Sequence, residues 1–187
     1  AYPIRTVPAQ ALLDNAGRKV GYLMYYAFTT PSVTEWSTAL ATLLAGGAED
    51  LVVDLRNNGG GLLDAAQSLA TSIAPASAKD QTAFTLQFND QRSSRNRAYR
   101  IGTNPDPGHI SRIVWITDSG TCSASEALMV SLRPYLPAQA VGGTTCGKPV
   151  GFTPPSNNGL TYNLVSFRIA NGDGFSDYYD GLAPDCT

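Results

Sequence analysis

Two spacings of apolar residues alternate along this chain: short β-branched or aromatic runs, and longer stretches with an apolar residue every three or four positions. Residues 19–29, KVGYLMYYAFT, belong to the first kind and predict a strand. The turn Asn15-Ala16-Gly17-Arg18 before it allows a hairpin with residues 7–13. Pro31-Ser32-Val33-Thr34-Glu35 then opens a helix, with Ser32 as N-cap and Glu35 completing a capping box. Trp36, Leu40, Leu43 and Leu44 recur at helical spacing, and Gly46-Gly47 ends the run. Leu51-Val52-Val53-Asp54-Leu55 is short and continuously apolar, as in a strand covered on both faces of a parallel sheet.

The alternation continues to the end of the chain. A helix is expected over residues 62–73, a weaker strand over 81–88, and a loop over 102–108. Arg112-Ile113-Val114-Trp115-Ile116-Thr117 reads as a buried strand, followed by a turn of small residues and an apolar helix reaching about Tyr135. A short strand near residues 139–141 leads into a Gly/Thr-rich loop that carries Lys148. After a Pro/Asn/Gly turn over 153–159, residues 160–169 read as one strand, closed by a turn at 171–174. Helices alternating with strands, without an internal repeat or low-complexity linker, predict one α/β domain over residues 1–187.

Composition narrows the function more than the fold. A formal net charge of −2 argues against a nucleic-acid surface, which needs clustered excess base. The basic run over residues 92–100 reads as a solvated loop or edge strand, with attraction of a peptide carboxylate as the minor reading. No apolar run approaches the roughly 18 residues of a membrane span. The chain starts Ala1-Tyr2-Pro3, which reads as a mature form or a fragment whose targeting segment has been removed. No C-x₂-C spacing accompanies the single histidine, His109, so neither a metal nor another cofactor is expected. His109 itself, in a Pro/Gly loop, reads as a surface residue.

Candidate chemistry gathers between residues 120 and 152. Ser123 lies on a sharp strand-to-helix turn, where free N–H groups of a helix start can face a developing oxyanion. Ser125 is the rival hydroxyl, better suited to support, and Glu126 reads as a first-turn acid favoured by the helix dipole. Asn57-Asn58-Gly59-Gly60-Gly61 lacks the spacing of a nucleotide loop, and its glycines permit close backbone approach. A tight turn made of glycine for steric reasons alone is the simpler reading. Asp54 and Arg56 beside it pair either to hold the loop or merely at the surface. Three cysteines, Cys122, Cys146 and Cys186, leave one unpaired whatever the rest do. Cys122 and Cys146 flank Ser123 and Lys148, so contact between those two would bring both loops together. A disulfide among the three and a set of small unpaired thiols both stay open.

TCSASE followed by TTCGKP, with VDLRNNGGG upstream, resembles the carboxyl-terminal processing (tail-specific) serine peptidases, and the likeness spans roughly the whole chain. Lys148 follows Ser123 by 25 residues, the spacing usual in that family, and Gly181-Leu182-Ala183-Pro184-Asp185 resembles its closing motif. The resemblance implies an α/β fold of the crotonase/ClpP-like class with a mixed β-sheet, Ser123 as nucleophile and Lys148 as general base. It also implies an oxyanion hole from Gly60 and Ala124. Lysine works as a base only when desolvation keeps it neutral. The implied activity is a serine endopeptidase acting by a Ser-Lys dyad on unfolded or C-terminal protein segments, in the periplasm or outside the cell, with protein or peptide substrates.

Two positions depart from the family pattern. Some members carry an aspartate eleven residues after the serine, where this chain has Pro134, and others a glutamine four after the lysine, where it has Phe152. Ser125, Thr144 and Thr145 are the hydroxyls nearest in sequence that could support the lysine instead. Family members commonly carry a peptide-binding PDZ module ahead of this core, for which these residues leave no room. The competing reading is a non-catalytic ligand-binding module like the retinoid-binding repeats. An acyl-CoA enzyme of the same broad fold class is weaker, since a Ser-Lys pair has no role there.

Overall fold

The computed structural model describes residues 5–106, 110–154 and 156–187. His109 therefore lies outside the described residues. The first hairpin pairs β1 (Ala9–Asn15) with β2 (Arg18–Met24), and Ala16 and Gly17 turn it with positive φ of 54° and 89°. Helix α1 (Thr30–Ala45) then leads to β3 (Asp50–Asp54), which pairs in parallel with β2. The cap expected at Ser32 is instead at Thr29, whose Oγ1 accepts from the Ser32 N–H while Ser32 Oγ accepts from the Thr29 N–H. Pro31 can sit inside the first turn because a proline there has no intrahelical N–H to lose. Glu35 turns away to accept from the N–H groups of Thr6 and Val7, anchoring the segment that enters β1.

Helix α2 (Leu63–Ile73) precedes β4 (Thr82–Phe88) and β5 (Arg97–Arg100), and β6 (Arg112–Thr117) returns to the first sheet beside β3. The basic run thus forms a 3₁₀ turn over Asp90–Arg95 and an edge strand. Helix α3 (Ala124–Leu132) and β7 (Ala138–Gly142) complete a five-stranded sheet in the order β1-β2-β3-β6-β7, parallel from β2 onward. The strands β8 (Val150–Phe152) and β11 (Val165–Asn171) join β4 and β5 in an antiparallel sheet ordered β5-β4-β11-β8. Between β8 and β11, the two-residue strands β9 (Ser156–Asn157) and β10 (Leu160–Thr161) form a small hairpin. The architecture is α/β.

Helix α3 is buried at every one of its nine positions, packed on α2 and on β4 and β11. With no solvent face it has no polar stripe, and its buried Ser125, Glu126 and Ser131 are each hydrogen-bonded inside. It stops at Leu132, short of Tyr135, because Pro134 cannot donate to the carbonyl four residues back. That carbonyl, Val130 O, accepts from Asn171 Nδ2 at 3.2 Å instead. The strand expected over 160–169 divides. Its alternation runs Leu160, Tyr162, Leu164 and then shifts phase to Val165, Phe167, Ile169, so one straight strand would turn half of these side chains to the wrong face. The sheet keeps the second set, with Phe167 and Ile169 buried, and leaves Leu160, Tyr162 and Leu164 exposed.

Candidate active site

Three neighbouring parallel strands end at the same edge of the first sheet, and each hands over to a loop of interest. The glycine loop follows β3, the Ser123 turn follows β6, and the Lys148 loop follows β7. Crevices at the carboxyl ends of parallel strands are where α/β sheets hold their ligands. Asp118 Oδ1 ties the first two loops by accepting from Asn57 N–H and Gly120 N–H, and Thr121 Oγ1 donates to Leu55 O. The Gly143 N–H donates to Thr117 O, while Thr117 Oγ1 donates to Gly143 O, tying the third to the second.

Ser123 precedes the first residue of α3 with φ 58° and ψ −111°. This left-handed backbone is costly for a residue with a side chain and persists only where the surroundings enforce it. Glu126 is the enforcer. Its Oε2 accepts from the Ser123 N–H at 2.8 Å and the Lys148 N–H at 2.9 Å, and its Oε1 accepts from the Gly147 N–H at 2.8 Å and Thr145 Oγ1 at 2.6 Å. One carboxylate, itself fully buried, therefore holds both backbone segments that carry Ser123 and Lys148. Glu126 does lie in the first helical turn as expected, but its contacts to the Lys148 loop were not legible in sequence.

The glycine loop is shaped by Asn58, a buried residue that sequence reasoning passed over. Asn58 Nδ2 donates to Tyr25 O, its Oδ1 accepts from the Gly60 N–H, and its own carbonyl accepts from the Cys122 N–H and Ser125 Oγ. Gly60 lies against the Ser123 turn. A methyl on it would sit 2.9 Å from Ser123 Cβ, 2.7 Å from Ala124 N and 2.6 Å from Cys122 O, and its φ is +94°. Only glycine fits there. The backbone of Gly60 thus packs against Ala124, and these are the two residues whose N–H groups the resemblance implies for an oxyanion hole. They are not equivalent, because the Gly60 N–H is bonded to Asn58 at 2.9 Å, whereas Ala124 is the first residue of α3 and its N–H has no intrahelical acceptor.

Ser123 and Lys148 line one cleft of about 580 Å³, with Gly59 and an apolar wall that includes Leu63, Phe152 and Phe167. Lys148 Nζ sits 4.5 Å from the centre of the Phe152 ring. Phe152 thus contacts the amine by its face where a hydrogen-bonding side chain was missing. Of the three hydroxyls nearest in sequence, Thr144 is exposed and two are engaged elsewhere: Ser125 Oγ donates to Asn58 O, and Thr145 Oγ1 donates to Glu126 while accepting from the Leu182 N–H. Both support the loops, and among the described residues neither is bonded to Lys148. Cys122 and Cys146 form a disulfide, and Cys186 is free and exposed. The two bonded sulfurs and the Glu126 carboxylate lie within 4.8 Å of one another, but sulfurs joined in a disulfide offer no thiolate to a metal. Asp54 and Arg56 form more than a surface pair: Asp54 is fully buried and bound by Arg56 Nε and Nη2 and by Tyr22 Oη. Burial pushes the Asp54 carboxyl upward, and the combined Arg56 and Tyr22 bonds outweigh it and hold it below its usual range. Beneath the Lys148 loop, burial raises the Tyr178 hydroxyl well above its ordinary value, with the Glu126 charge adding to it.

Residues 19–187 match the family model of peptidase family S41. The chain is 32% identical over 171 residues to the carboxyl-terminal-processing protease of Synechocystis sp., covering 90% of this chain and 35% of that protein. It is 27% identical over 169 residues to the carboxy-terminal processing protease CtpB of Bacillus subtilis, with 90% and 34% covered. The chain thus spans about a third of the length of these curated relatives. A putative S41 protease from Bacteroides fragilis superposes with a TM-score of 0.90 at 29% identity, over 100% of this chain and 51% of that one. The photosystem II D1 C-terminal processing protease follows at 0.76 and 26% identity, over 97% and 45%. These relatives do not favour the ligand-binding reading. With the family model covering nearly the whole chain, the loops at the sheet's carboxyl edge are those of a member of peptidase family S41, a family of serine hydrolases.

Proposed function

We propose that this chain is the catalytic core of a serine endopeptidase that hydrolyses unfolded or C-terminal protein segments, with Ser123 as nucleophile and Lys148 as base. The observation that carries the reading is the single Glu126 oxygen that receives both the Ser123 and the Lys148 N–H, placing the two residues on one cleft. Neutral Lys148 takes the proton of Ser123 as Oγ attacks the peptide carbonyl. The Ala124 N–H receives the oxyanion, and Gly60 contributes as far as its bond to Asn58 is shared. Protonated Lys148 then returns the proton to the leaving amine, and water hydrolyses the acyl-enzyme by the same steps. The Phe152 ring lies against the amine, and the apolar wall suits side chains that an unfolded segment exposes. A disulfide persists in oxidising surroundings, which supports a periplasmic or extracellular setting. Among the described residues no helix is long and apolar enough to cross a membrane.

Labelling with a fluorophosphonate, followed by mapping of the modified peptide, tests the reading. The expected adduct is on Ser123, and Ser123→Ala abolishes both the adduct and hydrolysis of an unfolded protein while leaving the fold intact. Lys148→Ala should remove nearly all activity while leaving the fold intact. An adduct on Ser125, or full activity in Ser123→Ala, would overturn the assignment.

A further inference from the structure

The disulfide lies in an unusual place for a general staple. Cys122 immediately precedes Ser123, and Cys146 stands two residues before Lys148. The bridge, with its Cα atoms 5.2 Å apart, links the turn after β6 to the loop after β7 at the point where their functional side chains leave the backbone. The other ties between these segments are hydrogen bonds: those of Glu126, one from the Cys146 N–H to Thr121 O, and the Thr117–Gly143 pair at the base of the loop. None of them is covalent. The Lys148 loop contains Gly143 and Gly147, the latter at φ +80°, residues that restrict the backbone least when a tie is removed. Cys122 is partly buried and Cys146 is exposed, so an external thiol would approach from the Cys146 side.

We propose that the Cys122–Cys146 disulfide is a positioning element for the Ser123–Lys148 pair, so that turnover depends on its oxidation. This rests on the proposed peptidase function. The controlling reaction is thiol–disulfide exchange with a small dithiol. A thiolate of the dithiol attacks Cys146 Sγ, and Cys122 leaves as a thiolate and takes up a proton. The second thiol then attacks the mixed disulfide, closes the dithiol into a cyclic disulfide and releases Cys146. Two electrons and two protons pass to the protein, which gains two thiols. With the bridge open, hydrogen bonds alone hold the loops of Ser123 and Lys148 together, and the two move further relative to one another. Displacements of about an ångström between reacting groups cost on the order of a hundredfold in rate. A newly made, reduced chain is therefore a slow enzyme that oxidation completes.

The test uses the whole chain carrying Cys186→Ser, which removes the exposed free thiol, in oxidised form and after dithiothreitol. Alkylation and mass measurement establish the state of the bridge. Reduction should lower kcat about ten- to a hundredfold with KM nearly unchanged, and re-oxidation should restore it. The Cys122→Ala/Cys146→Ala variant should sit at the reduced rate and ignore dithiothreitol. Amide hydrogen exchange over residues 121–126 and 145–149 should quicken on reduction while the rest of the chain keeps its protection. Fully reduced protein with kcat within twofold of the oxidised form and unchanged exchange would overturn the proposal. So would loss of the far-ultraviolet dichroism on reduction, which would make the bridge a general staple. If the oxidised protein hydrolyses nothing and takes no label on Ser123, the peptidase reading fails, and the exchange measurement still decides whether the bridge positions the two loops.

Discussion

At the scale of single residues, the site depends on acceptors that match otherwise orphaned donors. Glu126 receives three backbone N–H groups and one hydroxyl with no exposure to water, so its two oxygens are fully occupied. Glutamine keeps the volume but replaces an acceptor oxygen with a donor facing two of those groups. Each buried donor left unpaired costs about 1–3 kcal/mol, so Glu126→Gln should lower the unfolding free energy by roughly 2–5 kcal/mol. Because the lost bonds are those that set the Ser123 backbone, fluorophosphonate labelling of Ser123 should also slow by about a hundredfold or more. Labelling at the wild-type rate would show that the turn holds its conformation without the carboxylate. Asn58 plays the same part on the glycine loop, with both side-chain ends and its carbonyl engaged.

At the scale of elements, three loops meet because β3, β6 and β7 are neighbours running the same way. Among them Gly60 lies tightly against residues 122–124. A methyl there lies under 3 Å from two backbone atoms and Ser123 Cβ, at a φ that side chains rarely adopt. Gly60→Ala should therefore push the Ser123 turn away, with an expected loss of about 1–3 kcal/mol from backbone strain alone and of most hydrolysis. Gly59, one residue earlier, has open space at its Cβ position and no positive φ, so Gly59→Ala should keep the wild-type melting temperature. Equal melting temperatures for the two variants would remove the packing argument. The C-terminal segment completes this edge. Leu182 N–H donates to Thr145 Oγ1, and Asp185 Oδ2 accepts from the Ala140 N–H, so the closing motif braces β7 and the loop after it.

At the scale of the whole molecule, the central strand β3 carries a buried carboxylate at each end. Asp54 faces the glycine loop, while Asp50, at the opposite edge of the sheet, is bound by Arg18 from β2 and Arg112 from β6. The Arg18 bonds first, and the Arg112 bond with them, hold the Asp50 carboxyl below its ordinary range against the opposing effect of burial. A folded value below the unfolded one means that this stabilisation is complete above the ordinary aspartate range. It is lost as pH falls through that range, near 4, and on to the lowered folded value. Both arginine side chains are 41–47% exposed, so solvent screens the pairs. Asp50→Asn should cost about 1–2 kcal/mol at neutral pH, less than a fully buried pair would. Its unfolding free energy should also fall less steeply between about pH 5 and 2 than that of the wild type. An acid limb as steep in the variant as in the wild type would show that other carboxylates control acid unfolding.

Much of this arrangement was already legible in the chain. The apolar run of β3, the small-residue turn at Ser123, the glycine loop and the Gly46-Gly47 stop are set by neighbours a few residues away, and local sterics act at that range. The phase shift at Leu164/Val165 was also visible, though it was read through as one strand. Other features depend on which loops the parallel sheet brings to its carboxyl edge. Cys122 and Cys146 pair because those loops meet, whereas Cys186 stays exposed although its carbonyl accepts from the Gly142 N–H. Glu126 reads as a helix-dipole acid until Gly147 and Lys148 arrive beside it. Phe152 reads as the loss of a polar partner until its ring is seen against the Lys148 amine. Gly60 reads as a free donor until its N–H is seen bonded to Asn58. The residues name which donors and acceptors exist, and only the tertiary structure decides which of them find each other, because a buried polar group must be satisfied by whatever folding places within reach.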